Sequence, residues 1–130
     1  MRTERDSMGE MSVPDSALYG ASTQRAVLNF PVSGHRMPDD FIRGLARVKS
    51  ACARANAELG LLPREKAEAI VEVCREIHDG ALMSQFPVDV FQTGSGTSTM
   101  ASLLRAASAL SVMMGQPTRT GECSPLLAIG

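Results

Sequence analysis

The sequence lacks three features, and each absence excludes a class of function. It has little net charge, with 13 basic and 14 acidic residues among 130, so neither nucleic acid nor an anionic membrane is expected as a partner. It has no Cys-x-x-Cys pair and no zinc-site spacing of its cysteines and histidines. It has no uncharged apolar run of membrane-spanning length, and its polar N-terminus is not a secretory signal. We therefore expect a soluble, cytoplasmic protein without a metal site.

The cysteines and histidines are few and far apart. Cys52, Cys74 and Cys123 are odd in number, and we expect buried or idle thiols in a reducing cytosol. His35 and His78 are expected to be surface or capping histidines. Neither residue type indicates a catalytic or redox centre.

Residues 1–37 are rich in residues that interrupt regular structure. Breakers occur at five positions, namely Gly9, Pro14, Gly20, Pro31 and Gly34. This density predicts only short strands or turns, with one helical turn at residues 15–19. We interpret the region as an extended arm.

Two helices are predicted after residue 37. Pro38 suits a first helical position, and Gly60 a stop. The apolar positions of this first helix are Phe41, Leu45, Val48, Cys52 and Leu59. Pro63 begins the second helix and Gly80 ends it. Its apolar positions are Ala67, Ile70, Val71, Cys74 and Ile77. With so short a link, the pair predicts an antiparallel helical hairpin.

The rest of the chain contains one predicted extended segment and one further helix. Residues 85–91 are expected to be extended because Phe86 precedes a proline. From Met100 the apolar residues keep helical spacing up to Gly115. Residues 116–130 show no usable periodicity and are expected to be irregular.

The segment between these two elements is the richest in chemistry. It combines hydroxyls and glycines, namely Thr93, Gly94, Ser95, Gly96, Thr97, Ser98 and Thr99. The first turn of a helix offers free backbone N–H groups and a partial positive charge. Glycine permits close approach, and hydroxyls add adjustable donors. The pattern favours a pocket for a small anion.

Two common phosphate motifs do not fit this loop. No lysine follows Gly96, as the phosphate loop of nucleotide hydrolases requires, and Thr99 stands where the dinucleotide fingerprint needs a glycine. A carboxylate is the better ligand hypothesis. From spacing alone, a Ser/Thr-rich helix cap without any ligand remains the alternative.

The order of motifs over about residues 2–99 resembles class II fumarate hydratases. The matching segments are residues 2–10, 13–14, 17–20, 23–25, 29–34, 56–60 and 85–99. Aspartases, which belong to the same superfamily, usually have Gln-Gly-Gly-Ala-Gly-Thr where this chain has Gln-Thr-Gly-Ser-Gly-Thr at 92–97. They also usually lack the Asn-Phe-Pro step at 29–31. Both differences favour fumarase.

The resemblance implies a mostly helical fold and a homotetramer around a long helical bundle, with each active site built from three subunits. It implies that Ser95, Gly96 and Thr97 hold a substrate carboxylate, with Thr93, Gly94 and Thr99 supporting the loop. The implied reaction is reversible hydration of fumarate to malate in the citric acid cycle, without metal or organic cofactor.

After Thr99 the match is lost. The family continues with Asn-Met-Asn, whereas this chain has Met100, Ala101 and Ser102, and the family motifs that carry acid–base groups do not follow. We therefore predict an N-terminal fumarase-like domain at residues 1–99 and a divergent tail at 100–130. The long bundle helices are expected to be missing or truncated, and no catalytic residue is assigned. A shifted reading frame is one hypothesis for the tail.

Three functional hypotheses follow. The first is an N-terminal part of a fumarate hydratase, inactive alone because the catalytic segments are absent. The second is a helical interaction module that pairs with itself or with full-length fumarase through its apolar stripes. The third is a part of an aspartate ammonia-lyase.

Overall fold

The computed structural model describes the backbone of residues 1–113 and the side chains of residues 1–106. These residues form four α-helices and one two-stranded hairpin, so the prediction of a mainly helical protein is confirmed. They divide into two compact units, Met1–Pro38 with Ser84–Ala106, and a second unit that contains Asp39–Met83. No helix in the described chain is long and apolar enough to cross a membrane. The predicted irregular stretch at 116–130 lies outside the described residues.

The first unit begins with a β-hairpin. Strand β1, Arg2–Asp6, pairs antiparallel with strand β2, Gly9–Val13, in a register that places Arg2 opposite Val13. Gly9 has a φ of +117°, a conformation that residues with a Cβ rarely adopt. The prediction of short strands in this region is confirmed.

Charged side chains on one face of β1 tie the hairpin to the rest of its unit. Glu4 accepts hydrogen bonds from Arg2 at 2.9 Å and from Arg105 at 2.7 Å. Asp6 accepts two from the Arg25 guanidinium, at 2.9 and 3.2 Å. The hydrogen bond from Arg2 lowers the pKa of Glu4, and that from Arg25 lowers the pKa of Asp6. Arg2 also donates to the backbone carbonyls of Pro14, Asp15 and Tyr19.

The expectation that residues 1–37 hold only strands and turns is wrong for helix α1, Ala21–Asn29. Its nine residues contain neither glycine nor proline, and the breakers Gly20 and Pro31 only flank it. The helix packs against the hairpin by burying two alanines and Thr23, so it carries no large apolar stripe that a periodicity search would detect. Residues 15–16 form a turn and residues 18–19 a bend, so the predicted helical turn at 15–19 is absent from this described segment.

The carboxylate of Asp89 joins two distant segments of the first unit. It accepts hydrogen bonds from the amide of Ser33 at 2.7 Å, the amide of Gly34 at 2.8 Å and the amide of Phe91 at 2.9 Å. The Ser33 hydroxyl donates to it as well. The bond from Phe91 and those from Ser33 and Gly34 lower the pKa of Asp89 to about 2. Asp89 is therefore an ionised anchor that holds residues 33–34 beside Phe91.

The prediction that residues 85–91 are extended is only partly met. Gln85 ends a short 3-10 turn, Met83–Gln85, and the single ladder contact is an isolated antiparallel bridge between Asp89 and Arg36. Pro87 cannot donate to a strand ladder, which opposes a longer strand here. Phe86 and Val88 are buried, so the segment serves as part of the core.

The second unit contains the helical hairpin that the sequence predicts. Helix α2, Asp39–Glu58, packs against helix α3, Arg64–His78. Gly60, with a φ of +73°, and Gly80, with a φ of +99°, each close their helix with a pair of bonds typical of a Schellman cap. Both predicted stops are confirmed.

The predicted buried face of α2 is wrong by about one residue. The helix buries Ile42, Ala46, Ala53 and Asn56, whereas Phe41 is 48% exposed, Val48 58% and Leu59 72%. Small alanines let two helices approach closely but contribute little to an apolar pattern. The large apolar residues therefore indicated the wrong face.

The buried face of α3 agrees better with its sequence prediction than the buried face of α2 does. Four of the five predicted positions are buried, namely Ala67, Ile70, Cys74 and Ile77. Val71 is half-buried, and Val73 is buried in addition.

Cys74 is buried and both histidines lie at the surface, as the sequence predicts. Cys74 and Cys52 are free, and burial raises the pKa of Cys74 to about 11, which keeps it protonated and unreactive at neutral pH. His35 and His78 are exposed. Cys123 lies outside the described residues.

Two alanine substitutions test the burial of α2. Ile42 is 1% exposed, so Ile42→Ala is expected to lower the free energy of unfolding by about 2–4 kcal/mol. Phe41→Ala removes a half-exposed ring and is expected to cost less than about 1 kcal/mol. Urea denaturation followed by circular dichroism measures both. A larger loss of unfolding free energy for Phe41→Ala than for Ile42→Ala would support the buried face predicted from the sequence instead.

A second prediction concerns acid and Asp89. Its pKa of about 2 in the folded chain lies below the ordinary 3.8, so its stabilising effect is complete above about pH 4. The effect is lost as the pH falls from there through about 2, because the unfolded chain takes up its proton first. Asp89→Asn is therefore expected to lower the urea midpoint at pH 7, with the difference from wild type shrinking towards pH 2.

The control for this experiment is Asp40→Asn, which removes the same charge from a side chain that is 98% exposed. A difference between wild type and Asp89→Asn that stays constant from pH 7 to pH 2 would contradict the role given to the ionised carboxylate.

Candidate functional site

The candidate site is the hydroxyl loop, residues 93–99, which leads into helix α4, Thr97–Met113. The helix begins three residues before the predicted start at Met100. The prediction relied on the spacing of apolar residues, and the first apolar residue of the helix is Met100. The preceding helical residues, Thr97 to Thr99, are Thr and Ser, so the spacing of apolar residues does not indicate them. Leu103 and Leu104 are buried as the stripe predicts. The predicted end near Gly115 lies outside the described residues.

Three hydroxyls of the loop form a row at the surface. Ser95 Oγ lies 2.8 Å from Thr97 Oγ1 and 3.4 Å from Thr93 Oγ1, and all three residues are exposed. Either oxygen of each pair can donate, and a hydroxyl that only accepts within the row keeps its hydrogen free for a ligand. The structure therefore brings the predicted site residues Ser95 and Thr97 together.

Gly96 provides the turn between the hydroxyl row and the helix. Its φ is +67°, and its amide donates to the Thr93 carbonyl at 3.0 Å. A Cβ built on Gly96 would meet nothing within 4 Å. The backbone conformation, and not lack of space, therefore favours glycine here. Gly94 likewise has open space around it.

Gln92 determines which amides of the first turn remain available. Its Oε1 accepts the Thr99 amide at 3.1 Å, and its Nε2 donates to Thr99 Oγ1 at 2.6 Å. The amides of Thr97 and Ser98 have no hydrogen-bond partner among the described residues. They lie at the partially positive end of α4, next to the hydroxyl row.

A second polar contact lies behind the loop. The Ser102 hydroxyl donates to the Ser98 carbonyl at 3.2 Å and lies 3.2 Å from the Thr23 hydroxyl of α1. Ser102 and Thr23 are at most 1% exposed. This pair anchors the first turn of α4 to α1.

Sequence reasoning missed Gln92 and Ser102. Gln92 lies seven residues before its partner Thr99, whereas a capping box has a three-residue spacing. The only signal at Ser102 is its departure from the family pattern. Thr99, predicted to support the loop, is buried and faces Gln92 instead of the surface.

The loop offers neutral donors. The ionisable side chains of Ser84–Ala106 are Asp89 and Arg105. Asp89 is occupied by Ser33, Gly34 and Phe91, and Arg105 by Glu4. Among the described residues, no group of three or more His, Cys, Asp or Glu side chains is arranged to hold a metal ion. The arrangement suits binding of an anion, and neither ionisable side chain of Ser84–Ala106 is free to act as a base.

Comparison with known proteins identifies relatives of this chain. A family model described as "Lyase" matches residues 9–124. The chain is 59% identical over 98 residues to fumarate hydratase class II 2 of Pseudomonas aeruginosa, and 56% identical over 98 residues to a class II fumarate hydratase of Mycobacterium tuberculosis. Each match covers 75% of this chain and 21% of the relative. The chain thus spans about a fifth of the length of these curated relatives.

Solved structures give the same result. A fumarate lyase:delta crystallin from Brucella melitensis superposes with a TM-score of 0.85 at 39% identity, covering 99% of this chain and 30% of that one. A class II fumarase from Schistosoma mansoni superposes with a TM-score of 0.85 at 32% identity, covering 98% of this chain and 28% of that one.

These matches confirm the resemblance to class II fumarate hydratases and the prediction of an N-terminal domain of that fold. They do not favour the aspartate ammonia-lyase or interaction-module hypotheses. The division at residue 99 stays a prediction. The chain belongs to the lyase family, and three quarters of its length align with class II fumarate hydratases.

Proposed function

We propose that this chain provides part of the substrate site of a fumarate hydratase, the enzyme that interconverts fumarate and malate. The proposal depends mainly on the exposed hydroxyls of Ser95 and Thr97, which lie 2.8 Å apart. Beside them are the amides of Thr97 and Ser98, which have no hydrogen-bond partner among the described residues. The relatives at 59% and 56% identity, named as fumarate hydratases, support the substrate class.

The loop is suited to one carboxylate end of a dicarboxylic acid. A carboxylate only accepts hydrogen bonds, and the loop presents hydroxyl and amide donors on neighbouring residues. Hydrogen bonds to an ionised acceptor are stronger than neutral ones, and the positive end of α4 favours the charge. The positive φ of Gly96 directs the chain so that Ser95 and Thr97 lie on the same side of the turn.

The chemical step of the proposed reaction requires a base that removes the C3 proton of malate, and hydroxide then leaves C2. Negative charge accumulates on the carboxylate next to C3, and fixed donors that strengthen on this charge lower the barrier. Ser95 and Thr97 contribute binding and orientation of the substrate. Because Asp89 and Arg105 are already occupied, we assign the base and the second carboxylate contact to groups outside this loop segment.

We further propose that the protein works in the cytoplasm as a homotetramer without metal or organic cofactor. Large exposed apolar side chains on α2, Phe41 at 48% and Val48 at 58%, support burial against another chain. Fumarate or malate is the proposed small-molecule partner.

Substitutions in the loop test the proposed carboxylate site. Ser95→Ala and Thr97→Val each remove one hydroxyl donor, and together they are expected to weaken fumarate binding about tenfold or more. NMR titration that follows the backbone amides of Thr97 and Ser98 measures the affinity. Ser7→Ala, which removes an exposed hydroxyl from the hairpin turn, is the matched control.

Two results of this titration would reject the proposed site. One is equal affinity in the double variant and in Ser7→Ala. The other is a fumarate-induced change confined to residues away from the loop.

The chain alone is expected to bind fumarate without hydrating it at an ordinary enzyme rate. The reason is that the ionisable groups of the loop segment are engaged in structural contacts. The loss of fumarate absorbance measures the rate. A kcat within the usual range of about 1–10³ s⁻¹ would contradict the assignment of the base to other segments.

A further inference from the structure

We infer that Gln92 is a positioning residue for the carboxylate site: by holding Thr99 at two points, it fixes the hydroxyl loop and selects the amides that α4 offers to the ligand. This inference rests on the proposed function of the loop.

The geometry of the Gln92 side chain matches its partner at both ends. The carboxamide oxygen accepts the Thr99 amide at 3.1 Å, while the carboxamide nitrogen donates to the Thr99 hydroxyl at 2.6 Å. Gln92 is 9% exposed and Thr99 is 2% exposed. A neutral carboxamide has one acceptor and one donor group on a rigid plane, so this pairing fixes the orientation of both side chains.

The contact has a direct effect on the amides of the first turn. Without Gln92, the amide of Thr99 would join those of Thr97 and Ser98 as an unsatisfied donor. With Gln92 in place, the Thr99 amide donates to the buried carboxamide oxygen of Gln92 and is not available to a ligand. The two remaining amides lie beside the exposed hydroxyls of Ser95 and Thr97.

The same contact closes the loop. Gln92 and Thr99 lie seven residues apart in sequence, and their side-chain bonds bring together the two ends of the segment that carries the donors. A loop held in its binding conformation loses less conformational entropy when the ligand arrives. Removal of the Gln92 carboxamide should therefore weaken binding although Gln92 itself is buried behind the loop.

A second glutamine provides a matched control. Gln85 caps the amide of Leu18 through its Oε1 at 2.7 Å, and neither residue belongs to the hydroxyl loop. Gln85→Met and Gln92→Met remove the same chemical group from caps in the same unit. A purely structural role would give both substitutions similar effects.

The experiment measures hydrogen exchange of the Thr99 amide and fumarate binding in wild type, Gln92→Met, Gln85→Met and Gln92→Glu. In Gln92→Met, we expect Thr99 exchange to be about tenfold faster and fumarate binding about tenfold weaker. Gln85→Met is expected to change neither. In Gln92→Glu, a carboxylate can accept from both the amide and the hydroxyl of Thr99, so slow exchange should return.

Three results for Gln92→Met would overturn this inference alone, namely unchanged Thr99 exchange, normal fumarate binding, or a loss of fumarate affinity equal to that in Gln85→Met. If wild type binds no fumarate at all, the proposed function fails, and the positioning role fails with it. Normal fumarate binding by Gln92→Met would leave the proposed function standing and exclude only the positioning role.

Discussion

The start of α4 depends on the two hydrogen bonds between Gln92 and Thr99. A buried amide without a partner costs about 1–3 kcal/mol, and Thr99 is 2% exposed. Thr99 is the third residue of α4, so its amide has no partner within the helix and needs one from elsewhere. The Gln92 carboxamide provides that partner and leaves the row of hydroxyls at the surface. The turn at Gly96 and the Ser95–Thr97 contact both lie within the loop that this pairing closes.

Polar anchors recur throughout the first unit. It combines two segments distant in sequence, Met1–Pro38 and Ser84–Ala106, and contains little sheet to join them. Single carboxylates supply the connections instead. Asp89 collects three backbone amides, and Glu4 collects two guanidinium groups. A carboxylate suits this role because its two oxygens accept several bonds at once. The frame that carries the hydroxyl loop is therefore built from ionised groups as well as from its apolar core.

Features governed by local rules were predictable from the sequence, whereas features that depend on packing were not. Gly60 and Gly80 end their helices because a positive φ follows from local cap geometry. The burial of α2 was predicted on the wrong face because Ala46 and Ala53 contribute more to close packing than to hydropathy. The position of the hydroxyl loop was predictable from its composition and from the family resemblance. The Gln92 contact was not, since no periodic or capping pattern links residues seven positions apart.

The chemistry of the loop also limits what it can do by itself. Its donors are neutral hydroxyls and amides, so their attraction for a carboxylate depends strongly on the surrounding dielectric. In water such donors gain little, because the ligand exchanges one set of hydrogen bonds for another. Thr93, Ser95 and Thr97 are exposed in this chain. A neutral site of this kind reaches full strength only when other protein surface covers it and excludes water. The curated relatives match this chain over only 21% of their length, so most of a relative's length lies outside the matched segment. A cover over this exposed loop would strengthen the binding of the carboxylate, whereas the base is assigned to other segments because Asp89 and Arg105 are already engaged in structural contacts.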